Sequence, residues 1–148
     1  MNEERVTFSV GVPTVWLSVL DHMKAHGARV SALRRVLVAG SACPQLLIEG
    51  FAPYGVEVHQ AWGMTETSPV VTYHAPKPNN ADASDKDSVA LRLKQGRTLC
   101  GVDVKIVDND GNELPWDGVA FGDLLCRGSW IARDYFGKGS GGAAAADG

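Results

Sequence analysis

The chain has 148 residues, of which 45% are hydrophobic and 21% are charged, and its formal net charge is -3. This composition is typical of a globular domain or of a piece of a larger one. The chain has no excess of basic residues, which argues against a nucleic-acid partner. No apolar run is long enough to predict a transmembrane segment.

The first half of the chain alternates between strand-like and helix-like patterns. In chain order the predicted elements are a strand at residues 6–10, a helix at 14–26, a strand at 36–39, a helix at 44–52 and a strand at 56–60. Alternating elements with short joints indicate parallel strands connected by right-handed crossovers. The predicted fold class is therefore α/β, with a parallel βαβαβ portion.

The second half has a different character. Residues 75–87, APKPNNADASDKD, predict a surface loop, and residues 88–94 predict a short helix. Strand patterns at 102–107 and 122–127, with a turn signal at 108–111, predict an antiparallel β-rich portion.

These patterns divide the chain into four segments. They are an α/β portion at 1–74, a surface loop and short helix at 75–98, a β-rich portion at 99–136, and a flexible Gly/Ala tail at 137–148. The two tryptophans of the β-rich portion, Trp116 and Trp130, are expected to pack its interior.

Cysteines and histidines do not form a metal or disulfide motif. The three cysteines, Cys43, Cys100 and Cys126, are widely spaced and indicate free thiols in a reducing compartment. His22 and His26 lie four residues apart on a predicted helix but have no evident third ligand. The chain also begins without the pattern of a secretory leader, so we expect a cytoplasmic protein.

Two segments follow predicted parallel strands, where α/β proteins bind ligands. Gly40 comes after the second strand, and QAWGMTETSP at residues 60–69 begins at the last residue of the third. Trp62 offers an aromatic face for stacking, Glu66 offers a carboxylate for Mg2+, and Thr65, Thr67 and Ser68 offer hydroxyls. The spacing leaves two interpretations open: a nucleotide site with its metal, or a capped helix start with Glu66 in solvent.

Six motifs in succession resemble landmarks of the adenylate-forming superfamily, which includes acyl-CoA synthetases, luciferases and peptide-synthetase adenylation domains. QAWGMTETSP resembles its aromatic-Gly-x-Thr-Glu motif, and Trp62 and Met64 make it most similar to medium- or long-chain fatty acyl-CoA ligases. The other motifs are GVPTVW at 11–16, VLVAGSACP at 36–44, GVDVKIVD at 101–108, GDLLCRG at 122–128 and WIARDYFG at 130–137. The chain is thus identified as a central part of the large N-terminal domain of such an enzyme.

The resemblance implies a role for individual residues. Thr65 and Glu66 would be the catalytic residues, with Thr65 on a phosphate and Glu66 as the Mg2+ ligand. Gln60 would lie near the adenine amino group. The implied nucleotide site comprises Gly40, Ser41, Ala42, Gln60, Ala61, Trp62, Gly63, Met64 and Thr65. The implied border of the acyl pocket comprises Val12, Trp16, Gly63, Met64, Val70 and Val71.

The implied activity is that of an ATP-dependent fatty acid–CoA ligase. Such an enzyme uses ATP, Mg2+ and CoA to convert a fatty or related carboxylic acid first to an acyl-adenylate and then to a thioester. The family's phosphate loop, its ribose-binding aspartate and its catalytic lysine would lie outside these residues, so we expect the isolated chain to be inactive and open to self-association. The alternative is a stand-alone nucleotide-binding or interaction module without ligase chemistry.

Overall fold

The computed structural model describes residues 1–74 and 85–136. The predicted tail at 137–148 and most of the predicted loop, residues 75–84, lie outside the described residues. The described residues form two compact units: the first contains Met1–Gly63 and the described part of Thr72–Arg97, and the second contains Met64–Val71 and the described residues from Thr98 to Phe136.

The first unit is built on three parallel strands. β1 (Phe8–Gly11) pairs with β2 (Arg35–Val38), and β2 pairs with β3 (Glu57–Trp62). α1 (Pro13–His26) and α2 (Gln45–Phe51) are the two connections between them. The predicted parallel βαβαβ portion is therefore confirmed, with each boundary within a few residues of its predicted position.

Two short strands complete the sheet. β4 (Thr72–Tyr73) runs antiparallel to β3, and β5 (Arg97–Thr98) follows it, so that the order is β1-β2-β3-β4-β5. α3 (Asp85–Arg92) precedes β5 and begins three residues before the helix predicted at 88–94.

The sequence of α1 explains where this helix begins and ends. Pro13 occupies the first turn, where its missing N–H costs nothing. Gly27 ends the helix in the left-handed conformation, with φ 59°, and donates its N–H to the carbonyl of Met23. Between these ends Trp16, Leu20 and Met23 recur at helical spacing and are buried. The helix therefore presents one continuous apolar face.

That face packs against α2 and the strands. The Trp16 and Phe51 rings meet edge to face with centroids 6.0 Å apart, a favourable aromatic arrangement. The core also contains residues of α1, α2, β2, β3 and the segments beside them: Leu20, Met23, Leu33, Val36, Val38, Cys43, Leu47, Ile48, Val56 and Val58. Burial of these side chains supplies the main driving force for folding of the first unit.

The second unit contains an antiparallel pair. β6 (Val102–Val107) pairs with β7 (Asp123–Gly128), as the sequence predicts. The turn after β6 depends on Asp108, whose Oδ1 accepts the backbone N–H groups of Asp110 and Asn112 at 2.9 and 2.8 Å. The side chain of Asn112 also donates to this carboxylate and lowers the pKa of Asp108.

The two tryptophans of this unit have different environments. The prediction that Trp116 packs the interior is wrong, because its side chain is 65% exposed. A two-stranded ribbon has little interior of its own, and in β6 and β7 only Val102 and Val107 are buried. Trp130 is half-buried, with its ring against Gly101 and its indole N–H donated to the carbonyl of Val70.

Within the described residues, no helix is both long enough and apolar enough to cross a bilayer.

Neighbouring leucines of α2 test the assignment of the core. Leu47 is fully buried, whereas Leu46 is 54% exposed. We expect Leu47→Ala to lower the free energy of unfolding by about 2–5 kcal/mol, because it removes a buried side chain and leaves a cavity. Leu46→Ala is the matched control and should change it by about 0.5 kcal/mol or less. Urea unfolding followed by circular dichroism measures both, and equal losses would contradict the assignment.

Candidate functional site

The first unit places its predicted site residues at one edge of the sheet. Gly40, Ser41 and Ala42 follow β2 and are exposed. Gly40 has a φ of 85°, and a Cβ atom there would lie 3.2 Å from Val12, which follows β1. A side chain at Gly40 would therefore be strained and would crowd Val12.

The end of β3 reaches the same edge. The parallel register pairs Gly11 with Val38 and Val38 with Gln60, so the carboxyl ends of the three strands are level. Trp62 and Gly63 come at the end of β3 and are half-buried. The first unit thus brings an aromatic ring and the exposed small residues after β2 to the edge where α/β proteins bind ligands.

Gln60 has a structural partner in this unit. Its side chain is buried, and its amide nitrogen donates to the carbonyls of Arg92 and Lys94 at 2.7 and 2.9 Å. These two bonds use both hydrogens of the amide, and they fasten β3 to the end of α3. The position of Gln60 near an adenine amino group remains a prediction.

Trp16 lies in the core of the first unit. Its side chain is 1% exposed, and its indole nitrogen has no hydrogen-bond partner among the described residues. Gly11 lies against that nitrogen, since a Cβ atom there would approach it to 3.0 Å. The role of Trp16 at the border of the acyl pocket remains a prediction.

His59 is a buried residue of β3. Its Nε2 lies 3.2 Å from a carboxylate oxygen of Glu57, and its Nδ1 lies 2.7 Å from the hydroxyl of Tyr73 and 3.0 Å from the carbonyl of His74. Burial, together with His59, lowers the pKa of His74. This cluster joins β3 to β4 and the residue after it.

The remaining predicted residues belong to the second unit, in the segment Met64–Val71, here called the motif turn. Its centre is a short 3-10 helix, Thr65–Thr67. The Thr67 hydroxyl accepts the backbone N–H of Met64 at 2.8 Å and lies within donating distance of the carbonyls of Met64 and Pro69, at 2.9 and 3.0 Å. Thr67 is buried, so its hydroxyl stabilises the turn.

Thr65 and Ser68 differ from Thr67 in that both are exposed. Ser68 adopts the left-handed conformation, with φ 46°, at the end of the 3-10 helix. Of the three hydroxyls that the sequence offers, the exposed ones are those of Thr65 and Ser68. The role of Thr65 on a phosphate remains a prediction.

Glu66 is held by two residues that the sequence did not identify. Its backbone carbonyl accepts the N–H of Ala132 at 2.7 Å, and its carboxylate accepts a hydrogen bond from the hydroxyl of Tyr135. That hydrogen bond lowers the pKa of Glu66 and raises the pKa of Tyr135. The Glu66 side chain is therefore an oriented carboxylate that is ionised at neutral pH.

The donor set around Glu66 bears on the expected metal. No cluster of three or more His, Cys, Asp or Glu side chains occurs among the described residues. Mg2+ is commonly held by one or two carboxylates together with the phosphates of a substrate. A single carboxylate therefore fits Mg2+ that arrives with a nucleotide, and it does not form a metal site of its own.

The last two residues of the motif turn are held by hydrogen bonds within the second unit. Val71 is fully buried, and its carbonyl accepts the N–H of Leu99 at 2.9 Å. Val70 is half-buried and accepts the indole N–H of Trp130. Their place at the border of an acyl pocket remains a prediction.

The chain matches the family described as AMP-binding enzyme over residues 1–136. It is 45% identical over 134 residues to a medium-chain-fatty-acid–CoA ligase of Ectopseudomonas oleovorans, and this match covers 90% of this chain and 24% of that protein. It is 43% identical over 132 residues to a 3-methylmercaptopropionyl-CoA ligase of Ruegeria lacuscaerulensis, and this match covers 88% of this chain and 24% of that protein. The chain therefore spans about a quarter of the length of these curated relatives.

A solved structure gives a similar result. The o-succinylbenzoate CoA synthetase of Bacillus subtilis, in complex with its acyl-adenylate intermediate, matches with a TM-score of 0.72 at 24% identity. The match covers 94% of this chain and 26% of that protein. At this identity the likeness shows the fold, which is that of an adenylate-forming enzyme.

The motif turn offers a test that separates its two threonines. We expect Thr67→Val to lower the free energy of unfolding by about 1–3 kcal/mol, because it removes the acceptor of the Met64 N–H from a buried position. Thr67→Ser should keep most of the stability, and Thr65→Val should be within about 0.5 kcal/mol of the parent. Urea unfolding measures all three, and a larger loss in Thr65→Val than in Thr67→Val would contradict the assignment.

Proposed function

Because the chain belongs to the AMP-binding enzyme family, we propose that it forms part of an ATP-dependent fatty acid–CoA ligase. The main support is the edge of the first unit, where Trp62 and the exposed residues Gly40, Ser41 and Ala42 lie at the carboxyl ends of parallel strands. An aromatic face and a bare backbone are suited to the two faces of an adenine ring. The relatives named above are CoA ligases, which supports the same conclusion.

The reaction joins two anions, and this explains the residue types. A carboxylate oxygen of the acid attacks the α-phosphorus of ATP, the bond to pyrophosphate breaks, and the acyl-adenylate forms. The CoA thiol then attacks the acyl carbonyl, loses its proton and releases AMP. In both steps the nucleophile must come close to negatively charged phosphate, so the charge of the phosphate has to be neutralised.

In this proposal each residue type has one task. The small residues after β2 and Trp62 hold the adenine, and the exposed hydroxyl of Thr65 donates to a phosphate oxygen. Glu66 would hold Mg2+, which supplies charge neutralisation on the phosphates when bound. Gln60 would lie near the adenine amino group, with its amide hydrogens donated to carbonyls within the first unit.

The acid is proposed only as a fatty or related carboxylic acid. Of the residues assigned to the acyl pocket, Val12 and Met64 are 45% and 49% exposed, and apolar side chains on the surface are suited to an alkyl chain. Methionine in particular adapts to ligands of different shape. The two relatives have nearly equal identity to this chain and carry the names of different acids, so we assign no chain length.

Self-association and location are proposed on separate grounds. β1 is an edge strand, and its residues Phe8 and Val10 are 48% and 57% exposed, which favours pairing with another chain. The free thiols Cys43, Cys100 and Cys126 are in keeping with a reducing cytoplasm.

The activity is tested in the complete protein that carries this chain. We expect Glu66→Ala to lower kcat/KM for acid-dependent ATP–pyrophosphate exchange by about 10²-fold or more, because it removes an electrostatic contribution to the transition state. Trp62→Ala should raise the KM for ATP by about 10-fold or more through lost stacking, whereas Trp62→Phe should largely restore it.

Glu4→Ala, which removes an exposed carboxylate elsewhere, is the control and should retain the parental rate. An unchanged rate in Glu66→Ala would show the metal assignment to be wrong. The 148-residue chain alone should show no exchange, and acid-dependent exchange by it would contradict the expected inactivity.

A further inference from the structure

We propose that Tyr135 is a positioning residue for Glu66: its hydroxyl holds one carboxylate oxygen and leaves the other for a cation that arrives with the nucleotide. The proposal rests on the proposed function, since it assigns a task within the same site. Tyr135 acts through Glu66 and is not itself expected to touch the substrate.

Three contacts within the second unit connect the segment at residues 130–135 to the motif turn. The indole N–H of Trp130 donates to the carbonyl of Val70 at 3.2 Å. The N–H of Ala132 donates to the carbonyl of Glu66 at 2.7 Å, and the hydroxyl of Tyr135 donates to Oε1 of Glu66. The backbone and the side chain of Glu66 are thus held by the same segment, which is what orientation of its carboxylate requires.

The chemistry of the pair favours orientation. A glutamate side chain has three rotatable bonds, and an unrestrained carboxylate samples many positions. A carboxylate can accept several hydrogen bonds at its two oxygens. A bond at Oε1 therefore limits the rotation of the carboxylate without using Oε2.

The pair is also of the kind that tunes metal ligands elsewhere. Carboxylates that bind metals are themselves usually hydrogen-bonded, and loss of such an outer partner commonly weakens metal binding by about 10–100-fold. The Tyr135 side chain is 45% exposed, so removal of the hydroxyl alone should leave packing unchanged.

The test compares Tyr135→Phe with the parent in the complete protein. Binding of a non-hydrolysable ATP analogue is measured with Mn2+ and without metal, by calorimetry and by electron paramagnetic resonance of the Mn2+. We expect Tyr135→Phe to weaken binding of the Mn2+-loaded analogue by about 10–100-fold and to leave binding of the metal-free analogue unchanged. Tyr54→Phe, which removes a phenolic hydroxyl from the first unit, is the matched control and should change neither.

The same Tyr135→Phe substitution made in a Glu66→Gln variant shows whether Tyr135 acts through Glu66. Glu66→Gln should weaken binding of the Mn2+-loaded analogue, and addition of Tyr135→Phe to Glu66→Gln should cause no further loss. An additive loss would overturn the proposal, because Tyr135 would then act independently. Thermal unfolding of each variant verifies that the fold is retained.

The possible results separate this proposal from the proposed function. If the parent binds no ATP analogue and catalyses no exchange, the proposed function fails. If the parent binds and Glu66→Gln weakens Mn2+-dependent binding while Tyr135→Phe does not, only the positioning role is overturned. Equal losses with and without metal would indicate a structural role, and tighter Mn2+ binding in Tyr135→Phe would indicate competition; either result overturns the proposal.

Discussion

The parallel pairing of β1, β2 and β3 is the constraint on which the candidate site of the first unit depends. Because the three strands run in one direction and in level register, the chain must leave each of them at the same edge. The helices that return the chain bury Trp16, Leu20, Leu47 and Phe51 against the sheet. That packing fixes the strands. Exposed residues in the loops after the strands take no part in this packing, so they can be suited to ligand binding.

Hydrogen bonds of side chains to backbone fix further segments within each unit. Gln60 joins β3 to the end of α3, and Thr67 closes the motif turn in the second unit. Both side chains are polar and buried, and buried polar groups are tolerated because they are hydrogen-bonded. Within this short polar motif the hydroxyl of Thr67 is buried and hydrogen-bonded in the turn, whereas Thr65 is exposed.

The same division of tasks extends to the segment after β7. Trp130, Ala132 and Tyr135 contact the motif turn, and two of these contacts meet at Glu66. A carboxylate that must bind a cation at a defined place gains from such support, since an unoriented ligand loses affinity through rotamer entropy. Two motifs that resemble separate landmarks of the family are thus parts of one local structure in the second unit.

The sequence by itself determined the element order, the parallel arrangement of the first unit, the antiparallel pair and the family. These follow from local periodicity, from turn residues and from motifs that are each a short continuous stretch of sequence. The tertiary structure alone decided that Trp116 is exposed, that the amide hydrogens of Gln60 are used within the fold, and that Tyr135 meets Glu66. The last pair is separated by 69 positions, and the pattern of a single sequence carries no record of which distant side chains will meet. Burial and hydrogen-bond partners are properties of the packed chain, and so they were determined only when the elements came together.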